Sequence, residues 1–164
     1  MTSGSIRDVR VEDSARICEI YNYYVESTSI SFEEEPVPQQ EMARRIEAVS
    51  RNYPWLVYES DGEVLGYAYL SRWKERSAYR YTAETSVYVA KGHTGEGIGT
   101  ALMQALLERV KKLEVHALIA VIALPNEKSV ALHEKFGFKK AAHFAEVGFK
   151  HNAWINVGYW ELVL

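Results

Sequence analysis

Three glycines at alternate positions, Gly95, Gly97 and Gly99, directly precede a segment whose apolar residues recur at helical spacing. Glycine allows the backbone to curl so that several N–H groups converge at the helix start, where the helix dipole also favours an anion. The segment could therefore hold a pyrophosphate. A flexible loop ahead of a helix is the alternative that glycine spacing alone leaves open.

Two common nucleotide-binding motifs do not fit this segment. The phosphate-binding loop of nucleoside triphosphatases requires Lys and then Ser or Thr after its last glycine, whereas Gly99 is followed directly by Thr100. A dinucleotide-binding motif should follow the first strand of a βαβ unit, whereas residues 92–99 lie past the middle of the chain. Both readings are therefore disfavoured.

The elements that must position this segment follow from hydrophobic spacing and from turn residues. Asp61-Gly62 predicts a tight hairpin, because both central positions of such a turn take positive φ. The predicted order is βααβββαβαββ, an α/β fold with a mixed, mostly antiparallel central sheet flanked by helices. The predicted segments are a strand at Ile6 and Val9, a helix capped by Asp13, a helix from about Pro38, strands at 55–59, 64–70 and 79–90, a helix from Ile98, a strand at 117–124, a helix from Pro125-Asn126 to Phe136 closed by Gly137, and strands at 139–149 and 154–163.

The composition is that of one globular domain spanning residues 1–164. Of the 164 residues, 48% are apolar, which is enough for a core without metals or disulfides. The net charge of -3 argues against a nucleic-acid-binding protein. Cys18 is the single cysteine and no Cys and His residues have zinc-site spacing, so we expect no metal and a reducing cytoplasm.

The sequence also argues against a membrane partner. Residues 1–13 are polar and charged and contain no apolar signal region. The longest apolar run, residues 117–124, is too short to cross a bilayer and is typical of a buried strand.

Several segments resemble those of one enzyme family. Val87-Tyr88-Val89 followed by the glycine turn is similar to the acetyl-CoA motif of the GNAT superfamily of N-acetyltransferases, and residues 124–138 resemble the motif that follows it. The resemblance runs from about residue 6 to residue 164 and implies the GNAT fold. Five segments are similar, more specifically, to the phosphinothricin and methionine sulfoximine N-acetyltransferases within that superfamily. These segments are residues 53–57, 73–79 and 84–89, Gly148-Phe149-Lys150-His151, and Trp154 with residues 157–160.

The resemblance implies direct transfer of an acetyl group from acetyl-CoA to an amine. The amine must first lose a proton, because an ammonium has no lone pair with which to attack. Glu84 matches the family's catalytic glutamate, and burial in its apolar, hydroxyl-bearing strand would raise its pKa toward a useful value. A water could relay the proton if the distance is long. A glutamate in solvent or in a salt bridge is the alternative.

His133 is the second titratable candidate. Most of the superfamily has a tyrosine at this position, placed to protonate the departing thiolate, whereas the phosphinothricin group has histidine, as this chain does. Histidine could act as the acid to the coenzyme sulfur or as part of a base relay. A histidine with only packing contacts is the alternative, and the sequence does not divide acid from base between Glu84 and His133.

The resemblance also implies how acetyl-CoA is held. Backbone N–H groups near Val89 would stabilise the oxygen of the tetrahedral intermediate, and Asn126 would bond the pantetheine arm, although Asn126 is also a good helix cap. Thr94 departs from the family, which usually has Arg or Gln there, so the phosphates would depend on backbone N–H groups. The expected cofactor residues are Val87, Tyr88, Val89, Gly95, Glu96, Gly97, Ile98, Gly99, Thr100 and Asn126.

A charged loop matches the positions that hold the acidic substrate in phosphinothricin acetyltransferases. Arg can bind a carboxylate or phosphinate in a bidentate manner, and Lys adds a point charge. A loop whose charges are merely solvated is the alternative. The expected substrate residues are Phe32 and Trp73 as aromatic walls, with Lys74, Arg76, Tyr79, Glu84, Thr85 and Ser86.

Three functions remain open from the sequence. The favoured one is acetylation of a small glutamate-like amino acid, such as the herbicide phosphinothricin or methionine sulfoximine. A second keeps acetyl-CoA but acetylates a polyamine or a protein N-terminus, and a cationic acceptor fits poorly with Lys74 and Arg76. A third is a non-catalytic acyl-CoA sensor, which would need neither Glu84 nor His133. The resemblance and the aromatic content also predict a homodimer.

Overall fold

The computed structural model describes residues 3–164, so the first two residues of the polar N-terminal segment lie outside the described part. Within that part, helices and strands follow the predicted order βααβββαβαββ, which is therefore confirmed. The strands are β1 Ser5–Asp8, β2 Trp55–Ser60, β3 Glu63–Arg72, β4 Thr82–Val89, β5 Ala117–Leu124, β6 Lys139–Lys150 and β7 Ala153–Val163. The helices are α1 Ser14–Ser27, α2 Gln39–Ser50, α3 Ile98–Val110 and α4 Glu127–Lys135.

The strands form one mixed sheet in the order β1-β2-β3-β4-β5-β7-β6. The chain divides into two compact units, and β4 contributes residues to each. The first unit comprises residues 3–23, 37–71 and 86–114, and the second comprises residues 24–36, 72–85 and 115–164. The expected α/β fold is confirmed.

In the first unit, β1, β2 and β3 pair antiparallel. Asp61 and Gly62 turn the chain between β2 and β3 with φ of 52° and 78°, as the hairpin signal predicts. Helix α3 lies close against β3 at Gly66, where an added Cβ would come within 3.0 Å of the Ile98 side chain and 3.1 Å of the Tyr88 carbonyl oxygen. This close approach fixes the start of α3 and with it the glycine-rich segment.

In the second unit, β4 and β5 form a parallel pair, and β5, β7 and β6 continue it antiparallel. The parallel pair is lined by buried residues, because Ala83 of β4 and Leu118, Ile119 and Ala120 of β5 are each at most 6% exposed. Glu84 lies opposite Ile119 in this register. A carboxylate therefore lies between buried apolar residues of a parallel strand pair.

Two local details differ from the sequence prediction. Helix α1 begins directly after Asp13 as expected, but Asp13 ends a 3-10 turn, Val11–Asp13, and its carboxylate accepts hydrogen bonds from the Arg10 N–H before that turn and from the Arg7 guanidinium of β1. The strand predicted from Tyr79 begins instead at Thr82, because Ser77–Tyr79 forms a second 3-10 turn. Strand propensity alone does not reveal a turn closed by local hydrogen bonds.

Two further searches cover residues 3–164. In that range, no cluster of three or more His, Cys, Asp or Glu side chains is arranged to hold a metal ion. None of the helices described there is long and apolar enough to cross a membrane.

Candidate active site

Glu84 lies on β4 in the second unit. Its neighbours Ala83 and Thr85 are buried, and its own side chain is partly buried. Burial disfavours the charged carboxylate and raises the pKa of Glu84, while the positive charge of Lys74 acts in the opposite direction. A carboxylate with a raised pKa is a better proton acceptor near neutral pH than an ordinary glutamate.

His133 lies on α4 and is only 5% exposed. Its Nδ1 lies 2.8 Å from the Ser129 carbonyl oxygen, and its Nε2 lies 3.3 Å from the Thr85 hydroxyl. A carbonyl can only accept, so Nδ1 carries the proton and the neutral ring accepts from the Thr85 hydroxyl through Nε2. Burial lowers the pKa of His133, although the Ser129 hydrogen bond opposes this. The ring is therefore neutral at pH 7.

The structure separates the two titratable groups. Glu84 and Thr85 are adjacent in a strand, so their side chains leave opposite faces. Thr85 takes the face that α4 covers, where it contacts His133. The Thr85 to His133 hydrogen bond consequently does not link His133 to Glu84.

The loop of residues 73–81 carries four of the eight predicted substrate residues, namely Trp73, Lys74, Arg76 and Tyr79. The Trp73 and Tyr79 rings meet edge to face with centroids 5.2 Å apart, and the Lys74 Nζ lies 5.3 Å from the Trp73 ring centroid. Arg76 is exposed and begins the 3-10 turn that leads to Tyr79. The loop thus brings together an aromatic pair and a cation whose charge acts on Glu84.

The other predicted substrate residues besides Glu84 lie in different parts of the second unit and on β4. Phe32 lies between α1 and α2, is 45% exposed, and has its ring directly over Gly148 of β6. Thr85 is buried against His133, and Ser86 is partly buried on β4.

The glycine-rich segment lies in the first unit. Gly92, Gly95 and Gly97 have φ of 90°, 82° and 84°, and an added Cβ at any of them would meet nothing within 4 Å. Helix α3 begins at Ile98, and its first helical bond runs from the Ala101 N–H to the Gly97 carbonyl. The N–H groups of the first turn, from Ile98 to Thr100, precede that bond and point out of the helix start.

The neighbouring side chains of this segment are polar. His93 Nδ1 lies 3.0 Å from a Glu96 carboxylate oxygen, and both side chains are more than one-third exposed. Glu96 therefore places a negative charge beside the helix start. Thr94 offers a single hydroxyl where a forked donor would bind a phosphate more strongly.

The end of β4 is held by aromatic and backbone contacts within the first unit. The Tyr88 ring lies 5.2 Å from that of Tyr21 and 5.5 Å from that of Tyr67. The Ala90 N–H donates to the Leu65 carbonyl at 2.8 Å. Val87 and Val89 flank Tyr88 and are partly buried.

Asn126 caps α4. Its Oδ1 accepts a hydrogen bond from the Ser129 N–H at 3.2 Å. Asn126 therefore has the capping function that the sequence left open. The capping bond orients its side-chain amide, and the NH₂ group of that amide remains a potential donor.

Two residues with bonds in the second unit were not identified from the sequence. Ser129 fixes the tautomer of His133, and their four-residue spacing on a predicted helix was the available signal. Lys150 is 2% exposed and bonds to the Ser31 carbonyl, 119 residues away. No local pattern indicates such a contact.

Comparison with known proteins identifies the family. Residues 6–157 match the Acetyltransferase (GNAT) domain family. This chain belongs to the GNAT acetyltransferase family. The GNAT resemblance and the predicted acetyltransferase class are therefore confirmed.

Individual GNAT proteins resemble the chain over nearly its full length. Phosphinothricin N-acetyltransferase of Streptomyces viridochromogenes is 39% identical over 95% of this chain and 85% of its own. The L-methionine sulfoximine/L-methionine sulfone acetyltransferase of Pseudomonas paraeruginosa is 37% identical over 99% and 95% of the two chains. The crystal structure of a GNAT superfamily phosphinothricin acetyltransferase from Sinorhizobium meliloti in complex with acetyl-CoA covers 100% of this chain and 89% of its own, at 36% identity and a TM-score of 0.95.

The buried neutral state of His133 predicts a pH-dependent stability. Its pKa in the folded protein lies below the ordinary 6.5, so the unfolded chain binds the proton first and the folded state loses stability as pH falls below about 6.5. At pH 7.5, His133→Gln should lower the free energy of unfolding by about 1–3 kcal/mol through the lost hydrogen bonds. That deficit should shrink toward pH 5 in urea unfolding curves.

His143→Gln is the matched control, because His143 is exposed on β6. It should change stability by less than about 0.5 kcal/mol at either pH. A His133→Gln deficit that stays constant or grows as pH falls would contradict a buried neutral ring.

Proposed function

We propose that this GNAT enzyme transfers the acetyl group of acetyl-CoA directly to the α-amine of a small glutamate-like amino acid such as phosphinothricin or methionine sulfoximine. The observation that carries the proposal is the partly buried Glu84, with a raised pKa and with Lys74 close enough to act on it. The similarity to acetyltransferases named for these two amino acids supports the substrate class. The domain responsible is the whole chain, residues 1–164.

In this proposal Glu84 is the general base. An α-ammonium group with a pKa of roughly 8 or above must lose a proton before its nitrogen can attack. Burial raises the pKa of the Glu84 carboxyl and so strengthens it as an acceptor, and one ordered water can carry the proton if the amine is too far for direct contact. The neutral amine then attacks the thioester carbonyl of acetyl-CoA, so that a C–N bond forms and the C–S bond breaks. Coenzyme A leaves as the thiolate, and the second amine proton passes to it through solvent.

His133 acts as a positioning residue in this scheme. Its ring is neutral and its Nδ1–H is held by Ser129, so it keeps no proton ready for a leaving thiolate. Its Nε2 instead orients the Thr85 hydroxyl, next in the chain to Glu84. We therefore propose a division of roles that the sequence left open. Glu84 takes the proton from the amine, and His133 holds the strand that carries Glu84.

The first unit offers a cradle for the pyrophosphate of acetyl-CoA. Three glycines with positive φ leave open space where side chains would otherwise project, and the first turn of α3 presents free N–H groups. We assign the phosphates to the backbone of Gly95, Glu96, Gly97, Ile98, Gly99 and Thr100. This compensates for Thr94, although the charge of Glu96 opposes anion binding.

The other cofactor contacts are proposed from the family resemblance and the local geometry. The backbone of Val87, Tyr88 and Val89 forms the end of β4, whose aromatic contacts hold it in place. We assign the Val89 region to the developing negative oxygen. Asn126 keeps its NH₂ group for the pantetheine arm while its Oδ1 caps α4.

The substrate's acidic group is assigned to the loop of residues 73–81. Lys74 and the exposed Arg76 supply positive charge, and the Trp73 and Tyr79 pair supplies an apolar wall. Phe32 and Ser86 complete the proposed substrate contacts, whereas Thr85, which the sequence also suggested, takes part only as the neighbour of Glu84 because its hydroxyl is bonded to His133. A cationic acceptor such as a polyamine would be repelled by Lys74 and Arg76, and a non-catalytic sensor would not need the raised pKa of Glu84.

The test is thiol release from acetyl-CoA with phosphinothricin, methionine sulfoximine, methionine sulfone, glutamate, spermidine and a peptide N-terminus as acceptors. We expect turnover with the glutamate-like amino acids, and Glu84→Gln should lower kcat at least about 100-fold, as removal of a general base does. Glu161→Gln is the matched control and should leave kcat unchanged, because Glu161 is an exposed strand glutamate on β7 outside the proposed site.

Each of the other outcomes is informative. Turnover confined to spermidine or the peptide would overturn the substrate assignment. Full activity of Glu84→Gln would overturn the base assignment. Binding of acetyl-CoA without turnover of any acceptor would favour the sensor.

We also propose that the chain forms a homodimer. Large apolar side chains are exposed on the adjacent strands β6 and β7, among them Val147 at 60%, Phe149 at 51% and Trp154 at 66%. Patches of this kind mark interaction surfaces. Sedimentation velocity should give the dimer mass for the wild type and a shift toward monomer for Trp154→Glu. A wild type that sediments as a monomer at micromolar concentration would contradict the proposal.

A further inference from the structure

Lys150, at the end of β6, is a buried cation that the proposed chemistry does not use. It is 2% exposed, and its ammonium group donates to the Ser31 carbonyl at 2.6 Å and, more weakly, to the Tyr24 carbonyl at 3.5 Å. Lysine is almost never buried unless its charge is compensated. Burial lowers the pKa of Lys150, and the negative charges of Glu33 and Glu34 oppose this. The two carbonyl groups therefore hold a cation whose charge is disfavoured by burial.

The Ser31 carbonyl belongs to the connection between α1 and α2, residues 28–36. The Tyr24 carbonyl belongs to the last turn of α1, directly before that connection. The Thr28 hydroxyl donates to the Tyr24 carbonyl at 2.7 Å and accepts from the Ile30 N–H at 3.1 Å. The Ser31 hydroxyl accepts from the Glu33 N–H at 3.2 Å. Short polar side chains thus shape the connection locally, and Lys150 connects it to β6.

The residue after Ser31 is Phe32, one of the proposed substrate walls. Its ring lies so close to Gly148 that a Cβ at that position would overlap the ring atoms. Gly148 and Lys150 are two residues apart on β6, so both lie on one face of the strand. Strand β6 therefore contacts the connection at two adjacent positions. The Lys150 ammonium bonds to the Ser31 carbonyl, and the Phe32 ring packs on the backbone at Gly148, which has no side chain.

We propose that Lys150 is a positioning residue for substrate selection: its ammonium fixes the connection of residues 28–36 on β6 and thereby sets the position of the Phe32 ring. The inference rests on the proposed function, because it assumes that Phe32 contacts the side chain of the acceptor amino acid. Neither Lys150 nor Gly148 touches the acceptor in this account.

The chemistry favours lysine for this task. An ammonium group has three donors and can satisfy two carbonyls at once, which no apolar side chain of similar length can do. In Lys150→Met the stem would still fill its space, but the Ser31 carbonyl would lose its buried donor. The connection should then relax and the Phe32 ring should shift, without a change at Glu84.

The first test measures steady-state kinetics of Lys150→Met with the best amino-acid acceptor. The KM for the acceptor should rise about tenfold, the scale of a misplaced binding group, while kcat and the KM for acetyl-CoA change less than about threefold. Lys139→Met is the matched control, because Lys139 is an exposed lysine of the same strand, and it should leave all three constants unchanged.

A double-mutant cycle with Phe32→Ala separates positioning from general weakening. If Lys150 acts through Phe32, Lys150→Met should have little further effect on the acceptor KM once the ring is removed. Gly148→Ala displaces the Phe32 ring and leaves the Lys150 ammonium in place, so it should also raise the acceptor KM. It replaces Lys150→Met as the test variant if Lys150→Met does not fold. Additive effects, or equal losses toward acceptor and acetyl-CoA, would overturn the proposal.

A substrate-independent measurement separates this inference from the proposed function. Amide hydrogen exchange of the free protein should be faster over residues 28–36 in Lys150→Met and unchanged in Lys139→Met. If no amino acid in the panel is acetylated, the proposed function fails while this result still reports on the tether. Unchanged exchange over residues 28–36 would overturn the tether itself.

Discussion

Burial penalises the charge of Glu84, and the surroundings of Glu84 in the second unit compensate part of that penalty. The carboxylate lies on β4 opposite Ile119, and the residues flanking this pair, Ala83 and Leu118, are apolar and fully buried. A buried charge is tolerated only with compensation, and Lys74 supplies part of it from the loop before the strand. The same loop carries the aromatic pair of Trp73 and Tyr79. One strand position therefore connects the chemistry of the base with the loop proposed to bind the substrate.

The opposite face of the strand is made rigid by a neutral network. His133 accepts from Thr85 and donates to Ser129, and its ring meets Phe138 edge to face at 5.0 Å. Because all its partners are satisfied without a charge, the network adds no second buried ion near Glu84. In the proposed mechanism, His133 is therefore a fixed hydrogen-bonding group and not a proton donor.

Much of this could be predicted from the sequence, for physical reasons. The element order depends on hydrophobic period and on turn residues such as Asp61-Gly62, which are local properties. Glu84 was identifiable because it matches the family's catalytic glutamate in an otherwise apolar and hydroxyl-bearing strand, and the glycines before α3 because glycine adopts positive φ more readily than other residues.

What the sequence could not give depends on contacts between distant segments. The partner of the His133 Nε2 is Thr85, 48 residues away, so neither the tautomer nor the division between acid and base could be inferred. The burial of Lys150 depends on Ser31, and the close approach at Gly148 depends on Phe32. From residue type alone, a lysine such as Lys150 is predicted to be exposed to solvent.

The most direct test of this account is the titration of the Glu84 carboxyl in the free enzyme by ¹³C NMR, with the resonance assigned by its absence in Glu84→Gln. We expect a midpoint above the ordinary 4.5 of glutamate, and a further rise in Lys74→Met because the opposing positive charge is gone. A midpoint at or below 4.5, unmoved by removal of Lys74, would show that burial does not prepare Glu84 as a base and would contradict the account.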